Sequence, residues 1–210
     1  MTITINLMSY FYGHLAGHCI ESVLSQSVKP DVINFYDDGA GDCGHLKDLY
    51  PEINFIFRTK NLGIINNFND ALDKTETDRV IFLGVDNYLR QDALSLLSLY
   101  PEDIVSYDIF LFGTEADSFA ANWQLRKKQD GYWIWEFKKG DISKSNYIHG
   151  SSLYNVQLAK EVGGYHRRGV QRTEEDWYLF EQMLKSGATH SHIPSPLLYY
   201  RRHKHNFNKY

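Results

Sequence analysis

Two rhythms of apolar and polar positions take turns along the first hundred residues. Residues 3–8 (ITINLM) read as a short strand, and Leu15, Cys19 and Val23, with Ile20 and Leu24 beside them, recur at the i, i+4 spacing of a helix with one buried face. Residues 32–36 form the next strand, Leu46 and Leu49 mark a short helix, and "INFIF" at 53–57 is a third strand. Ile64, Ile65, Phe68, Ala71 and Leu72 predict a further amphipathic helix, opened by "NLG". "RVIFLG" at 79–84 is apolar on both sides of its alternation, as a central strand covered on both faces is. Strands alternating with helices at this spacing predict an α/β fold with an open, mostly parallel sheet and right-handed crossovers.

After a strand near 104–112 the rhythm changes. "WQLRKKQDGYWIWEFKK" sets Asp130-Gly131 between two aromatic-rich runs, which predicts a hairpin. Helices are expected at about 155–162 and 174–186, the latter closed by Gly187, and Pro194 and Pro196 punctuate the way to a last strand ending "LLYYRRH". No repeats or low-complexity linkers interrupt the chain.

Composition adds a bound and an asymmetry. The 210 residues are 43% hydrophobic and 15% aromatic, enough for one domain with a real core. The start, "MTITINLMSYFYG", lacks the basic opening and unbroken apolar run of a signal peptide, and no stretch approaches the roughly 20 apolar residues that span a bilayer. A cytoplasmic protein with no integral membrane segment is expected. Cys19 and Cys43 match no metal or redox spacing and are expected as free thiols. The net charge of -4 hides a division: residues 1–119 hold about 7 basic and 18 acidic side chains, residues 120–210 about 15 and 8. Either the basic half faces an anionic partner or the solvated surface is simply lopsided.

Three acidic groups stand where chemistry is expected. "VINFYDDGAGD" climbs from an apolar run into Asp37 and Asp38 and then two glycines, which reads either as a solvated turn or as a ligand site at the carboxyl end of a parallel strand. Asp86 in "FLGVDNYL" lies just beyond the strand 79–84; a turn explains it, and so does a Mg2+ or Mn2+ site, since hard cations take one or two carboxylates plus substrate phosphates. Glu174, Glu175 and Asp176 open a helix, where acids complement the dipole, yet a carboxylate there is also placed to act as a base. At the end of the chain Arg201, Arg202, His203, Lys204 and His205 form either a basic solvated tail or a clamp for phosphates, with an imidazole able to ligate a metal.

In this order the motifs resemble glycosyltransferase family 2, with its GT-A fold, over nearly the whole chain. "CIESVLSQSV" is similar to the family's S-V-L-x-Q helix, "VINFYDDGAGD" to its V-D-D-G-S-x-D strand and loop, and "NLGIINNFNDAL" to N-x-G-x-x-x-x-x-N-x-x-[IL]. "FLGVDNYL" resembles the metal motif, "VGGYHRRGVQRTEEDWYLFEQMLKSG" the G-G-[FY] loop followed by E-D-W-x-L, and "YYRRH" the closing Y-R-x-H. The resemblance implies an inverting transfer of sugar from a nucleoside-diphosphate sugar, a UDP-sugar above all, to an acceptor hydroxyl. Ser9, Asp37, Asp38, Arg58, Asn61 and Gly63 would hold the nucleotide, Asp86 and His203 a divalent cation, Mn2+ or Mg2+, and Arg201 or Arg202 the leaving diphosphate. Asp176 would be the general base beside Glu175, with Trp177 and Arg172 on the acceptor side. One departure stands out: the family's D-x-D-D reads Gly84-Val85-Asp86-Asn87 here, without its first and last acids.

On this reading residues 1–119 are the donor-binding half and 120–210 the acceptor-binding and catalytic half of a single GT-A domain. Trp123, Tyr132, Trp133 and Trp135, interleaved with Arg126, Lys127, Lys128, Lys138 and Lys139, suit an anionic acceptor such as a phosphate-bearing glycan or modified DNA, or else form a hairpin with aromatic cross-strand pairs. The rival of another class is a non-catalytic module that keeps the fold to grip a nucleotide or polyanion.

Overall fold

The computed structural model describes residues 1–168 and 174–206. Its sheet is built first from the apolar runs: β1 (Ile3–Ser9), β2 (Val32–Asp37), β3 (Asn54–Phe57) and β4 (Arg79–Gly84) lie in the order β3-β2-β1-β4, all parallel. Helix α1 (Gly13–Leu24) joins β1 to β2, the short α2 (Leu46–Leu49) precedes β3, and α3 (Ile64–Asp73) leads to β4. β5 (Tyr88–Leu89) and α4 (Ala93–Leu97) follow, then the long β6 (Ile104–Phe112) and α5 (Ala116–Asn122). β7 (Lys127–Gln129) and β8 (Tyr132–Trp135) form the expected hairpin, with Asp130 and Gly131 both at positive φ, 50° and 86°. β9 (Leu153–Asn155), α6 (Val156–Glu161), α7 (Glu175–Lys185) and β10 (His190–Arg201) complete the chain.

The second half does not build a sheet of its own. β9 inserts antiparallel between β4 and β6, and β10 runs parallel to β6, so strands from both halves share one mixed sheet. The antiparallel hairpin docks on the far end of β6 through β8. Register slips in β10 around Pro196, where the proline nitrogen has no hydrogen to give. Compared with the sequence expectation, β5, α4, α5 and β9 are additions, and the helix expected at 155–162 starts one residue later because Asn155 ends β9 and caps α6, its side chain accepting from the Leu158 N–H.

Alternation along β1 and β4 divides the core between two faces. Ile3, Ile5, Leu7, Ile81 and Leu83 pack with α1 and with Val105, Tyr107 and Ile109 of β6. Met8, Val80 and Phe82 pack on the other face with Ala71 and Leu72 of α3, Ala159 of α6 and Leu179, Phe180 and Met183 of α7. Burying each such side chain stabilises by about 1.5–3 kcal/mol. Polar groups on these strands are paired: Asn6 is buried and bonds Asn34 (2.9 Å) and Thr75 (3.1 Å), and Asn54 extends the ladder to Asn34 (3.2 Å). Cys19 and Cys43 are free and buried. Among the described residues no helix is long and apolar enough to cross a membrane.

Candidate active site

β1, β2, β3, β4, β6 and β10 all end on one edge of the sheet, and the predicted residues follow from that geometry. At β1 and β2 the chain turns under the control of its own acids. Asp37 is buried, and its carboxylate accepts the backbone N–H of Ala40 (2.9 Å) and Gly41 (3.0 Å). Asp38 reaches across to the next loop, accepting from the N–H groups of Leu62 (2.9 Å) and Gly63 (3.2 Å) and from the Asn61 amide (3.0 Å). Burial pushes the Asp38 carboxyl up, while the Leu62 and Gly63 N–H groups pull it back. Gly39 is the crossing point of the two loops: at φ 83° a Cβ would sit 2.4 Å from the Lys60 carbonyl carbon.

Ser9 closes β1 beneath this pair, its Oγ 3.4 Å from the Cys43 Sγ and its carbonyl accepting the Asp38 N–H. Arg58 follows β3, lies over the Tyr36 ring at 5.3 Å and holds Asn67 (3.1 Å) and Asp70. Ser9, Asp37, Asp38, Arg58, Asn61 and Gly63 are therefore brought together as one cluster. Asp37, Asp42 and Cys43 also converge as a cluster of metal-ligand atoms. The thiol argues against a cation there: Cys43 donates to Asp42 (3.2 Å), which also accepts the Gly13 N–H (2.9 Å). Burial pushes that thiol up to about 12, so it stays protonated and clasps the loop.

The next group sits beside it, since Gly84 is paired with Met8 and the Val85 N–H donates to the Met8 carbonyl. Asp86 is buried, and the segment after β10 folds onto it: His203 Nε2 lies 3.5 Å from Asp86 Oδ2, and Arg201 Nε donates to the Asp86 carbonyl (3.0 Å). Asn206, a residue the sequence reading passed over, donates to Asp86 Oδ2 at 3.1 Å. His203 Nε2 is itself buried and has no hydrogen-bond partner among the described residues. A carboxylate oxygen and a ring nitrogen facing each other at 3.5 Å fit a shared cation. The two arginines part company: the Arg201 guanidinium lies 4.4 Å over Phe112 at the Asp86 turn, whereas Arg202 is buried against Phe119 (4.6 Å) and Tyr200 (5.8 Å).

The third group reaches the same edge through β9. Because β9 runs antiparallel to β4, the residues ahead of it lie toward the carboxyl end of β4, and Gly150 there abuts Asp176. A Cβ on Gly150 would come within 3.2 Å of Asp176 Oδ2. Burial, and after it the Glu175 carboxylate, push the Asp176 carboxyl up to about 7, against the Trp177 N–H (2.7 Å) and the Asn146 side chain. Burial raises Glu175 as well. Trp177 is held rather than open: its indole N–H donates to the Ile142 carbonyl (2.5 Å) and Arg168 lies 3.7 Å over its ring.

The hairpin residues stand apart from these three groups. Trp133 donates to Asp117 (2.7 Å) with Lys128 4.1 Å over its ring, and Trp135 packs among Phe119, Trp123 and Phe137. Lys127 pairs with Glu136 and Lys128 with Asp117, while Lys138 and Lys139 are exposed. Arg172 lies outside the described residues.

The sequence profile described as "Glycosyl transferase family 2" matches residues 7–163, well over half of the chain. The chain belongs to glycosyl transferase family 2. No curated protein matches it. Among solved structures this family 2 chain is similar to S. aureus TarS 1-349, with a TM-score of 0.70 at 16% identity over 96% of this chain and 60% of that one. TarS 1-349 in complex with UDP-GlcNAc aligns at TM-score 0.71 and 16% identity, over 97% and 59%. The mannosyltransferase PcManGT from Pyrobaculum calidifontis, in complex with GDP-Man and Mn2+, aligns at TM-score 0.68 and 15% identity, over 98% and 58%. At these identities the likeness is one of fold, and the fold is GT-A. The family 2 chain spans about three fifths of the length of the TarS fragment.

Proposed function

We propose that this family 2 chain is an inverting glycosyltransferase that moves a sugar from a nucleoside-diphosphate sugar, a UDP-sugar first of all, to an acceptor hydroxyl. The observation that carries the reading is the placement of Asp176, packed against Gly150 on the sheet edge where Asp86 and His203 also meet, with burial pushing its carboxyl up to about 7. A base with that affinity for protons is ionised often enough at neutral pH to act and basic enough to take a proton in the transition state. Asp176 accepts the proton of the attacking hydroxyl as its oxygen bonds the anomeric carbon and the bond from that carbon to the diphosphate breaks. Arg201 stands at the Asp86 turn, where a guanidinium opposes charge growing on the leaving diphosphate.

Asp86 and His203 would hold a divalent cation, Mn2+ or Mg2+, which when bound supplies further neutralisation of that charge. The cluster of Ser9, Asp37, Asp38, Arg58, Asn61 and Gly63 would receive base and ribose, both Asp37 oxygens and Asp38 Oδ1 keeping a lone pair beyond the N–H each accepts. That TarS is seen with UDP and UDP-GlcNAc, and PcManGT with GDP-Man and Mn2+, supports a nucleotide-sugar donor and a cation. Exposed Lys138 and Lys139 beside Trp133 and Trp135 support an anionic polymer as acceptor, a phosphate-bearing glycan or modified DNA, as does the basic excess of residues 120–210. Binding to either polymer should weaken steeply with salt.

A panel of UDP- and GDP-sugars, incubated with Mn2+ or Mg2+ and followed by release of nucleoside diphosphate, tests the reading. Metal-dependent release from at least one UDP-sugar is expected; failure of every donor to bind would overturn it. Binding with no release, with or without acceptors, would leave the non-catalytic module, which the two missing acids of the metal motif favour.

A further inference from the structure

The loop that precedes β9 is fastened to the first turns of α7 by two side chains. Trp177 and Glu181 stand at i and i+4 and share one face of that helix. Arg168 lies across both: its guanidinium sits 3.7 Å over the Trp177 ring, and its Nε donates to Glu181 Oε2 at 2.8 Å. Two loop carbonyls are taken by this pair, since the Trp177 indole N–H donates to Ile142 and Arg168 Nη2 donates to Ser143 at 2.7 Å. The loop also holds its own shape. The Asp141 carboxylate accepts the Ser143 N–H (3.0 Å) and hydroxyl (2.7 Å), and the Asp141 carbonyl accepts the N–H groups of Lys144 and Ser145. Next in the chain comes Asn146, whose side chain bonds Asp176. Its orientation is settled from the other end: Asn146 Oδ1 accepts the Ile148 N–H (3.1 Å), which can only donate, so the NH2 is the group turned to the carboxylate.

We propose that Arg168 and Asn146 are positioning residues for Asp176: Arg168, stacked on Trp177, straps the 141–145 loop to α7, and the strapped loop presents the Asn146 amide to the base. The proposal rests on Asp176 being the base, as read above. A guanidinium suits this post because its flat face stacks on the indole while its fork of N–H groups serves Glu181 and Ser143 in the plane; an ammonium has no such face. Arg168 above all holds the Glu181 carboxyl below the usual carboxylate range against its burial, so the helix end of the strap is a fixed charge. Three side chains face Asp176: Glu175 of its own helix, Tyr165 from the segment ahead of α7, and Asn146 from the strapped loop. Glu175 opposes the charged form of Asp176, and Tyr165 has its hydroxyl paired with Tyr154 (2.7 Å). Asn146 is the side chain that favours it.

The test is a 13C NMR titration of the Asp176 carboxyl carbon in the full chain, which needs no ligand. In the parent its midpoint is expected at about 7. Asn146→Ala removes the amide donor and should raise the midpoint to about 8 or above, because a hydrogen bond to a charged group changes proton affinity by roughly tenfold or more. Arg168→Lys keeps the charge and loses the fork, and should raise the midpoint part of the same way. A cation acting only at a distance would instead leave the Arg168→Lys midpoint at the parent value. Combined with Asn146→Ala, Arg168→Lys should add nothing, since it acts through the amide. If Arg168→Lys folds poorly, Trp177→Phe, which keeps an aromatic ring and loses the N–H to Ile142, should raise the midpoint as well. An unchanged midpoint in Asn146→Ala, a parent midpoint in Arg168→Lys, or full additivity of the two would overturn the strap. A parent spectrum with no resonance near that pH that Asp176→Asn removes would overturn the base reading, and the strap with it.

Discussion

Two pairs of adjacent acids, chemically almost the same, are put to different structural use by the fold. Asp37 and Asp38 leave β2 among backbone N–H groups, and their oxygens accept from Ala40, Gly41, Leu62 and Gly63. Glu175 and Asp176 open α7, where Asp176 accepts from the Trp177 N–H and the Asn146 side chain and has the Glu175 carboxylate beside it. Four N–H donors make the first pair a clasp for two loops. Burial, with the Glu175 carboxylate adding to it, outweighs the donors of the second and makes Asp176 a group that holds its proton up to about pH 7. Burial raises Asp38 and Asp176 alike and hydrogen bonds pull both back, and Asp38 has the Arg58 guanidinium to lower it further.

The largest effect that would break the comparison is on turnover. Asp176→Asn should lower kcat by on the order of 10²–10⁴-fold with donor affinity nearly unchanged, measured by diphosphate release and by calorimetry. Turnover within a few-fold of the parent would remove Asp176 from the chemistry. The complementary variant, Asp38→Ala, strands the Leu62 and Gly63 N–H groups and should destabilise the fold by roughly 1–3 kcal/mol in urea denaturation. If it did not, the clasp would be ornamental and the two pairs alike.

The pH dependence follows with its sign. An Asp in the unfolded chain titrates near pKa 3.9, below the folded value of about 7 for Asp176. Between those values the unfolded state has released a proton that the folded state keeps, so the contribution of Asp176 to stability falls as pH rises from about 4 to 7. Denaturation midpoints of Asp176→Asn should lack that fall, while kcat/KM of the parent should climb roughly tenfold per unit below pH 7 and level above it. The smallest predicted change is at Gly150: Ala there crowds Asp176 Oδ2 and should reduce turnover by about tenfold, since small displacements of a catalytic group are felt in the rate. A larger loss of stability than of rate would assign Gly150 to packing.

How much of this was legible in the sequence depended on whether a residue advertised itself by burial pattern or by charge. β1, β4 and β6 carry apolar runs covered on both faces, and their boundaries were readable to within a residue or two. β9 was not, because three residues, Leu153–Asn155, run straight into α6 and leave no alternation to count. α5 escaped because its buried face is only Ala116, Phe119 and Ala120. The candidate acids were legible by sign and by position, Asp37, Asp38 and Asp86 after strands and Glu175 and Asp176 at a helix start. Asn206 was not, since an amide carries no charge and its contact depends on which way the chain returns from β10 to Asp86. Gly150 was hidden for the same reason: only the antiparallel entry of β9 brings it against Asp176.

The central claim, that burial beside Glu175 poises Asp176 as a base while Asp37 and Asp38 clasp two loops, is tested most directly by titrating the aspartate carboxyl carbons by 13C NMR. The account predicts one resonance with a midpoint of about 7 that is missing from the spectrum of Asp176→Asn. A parent spectrum with no aspartate titrating near that pH, or one whose resonance survives in Asp176→Asn, would contradict it.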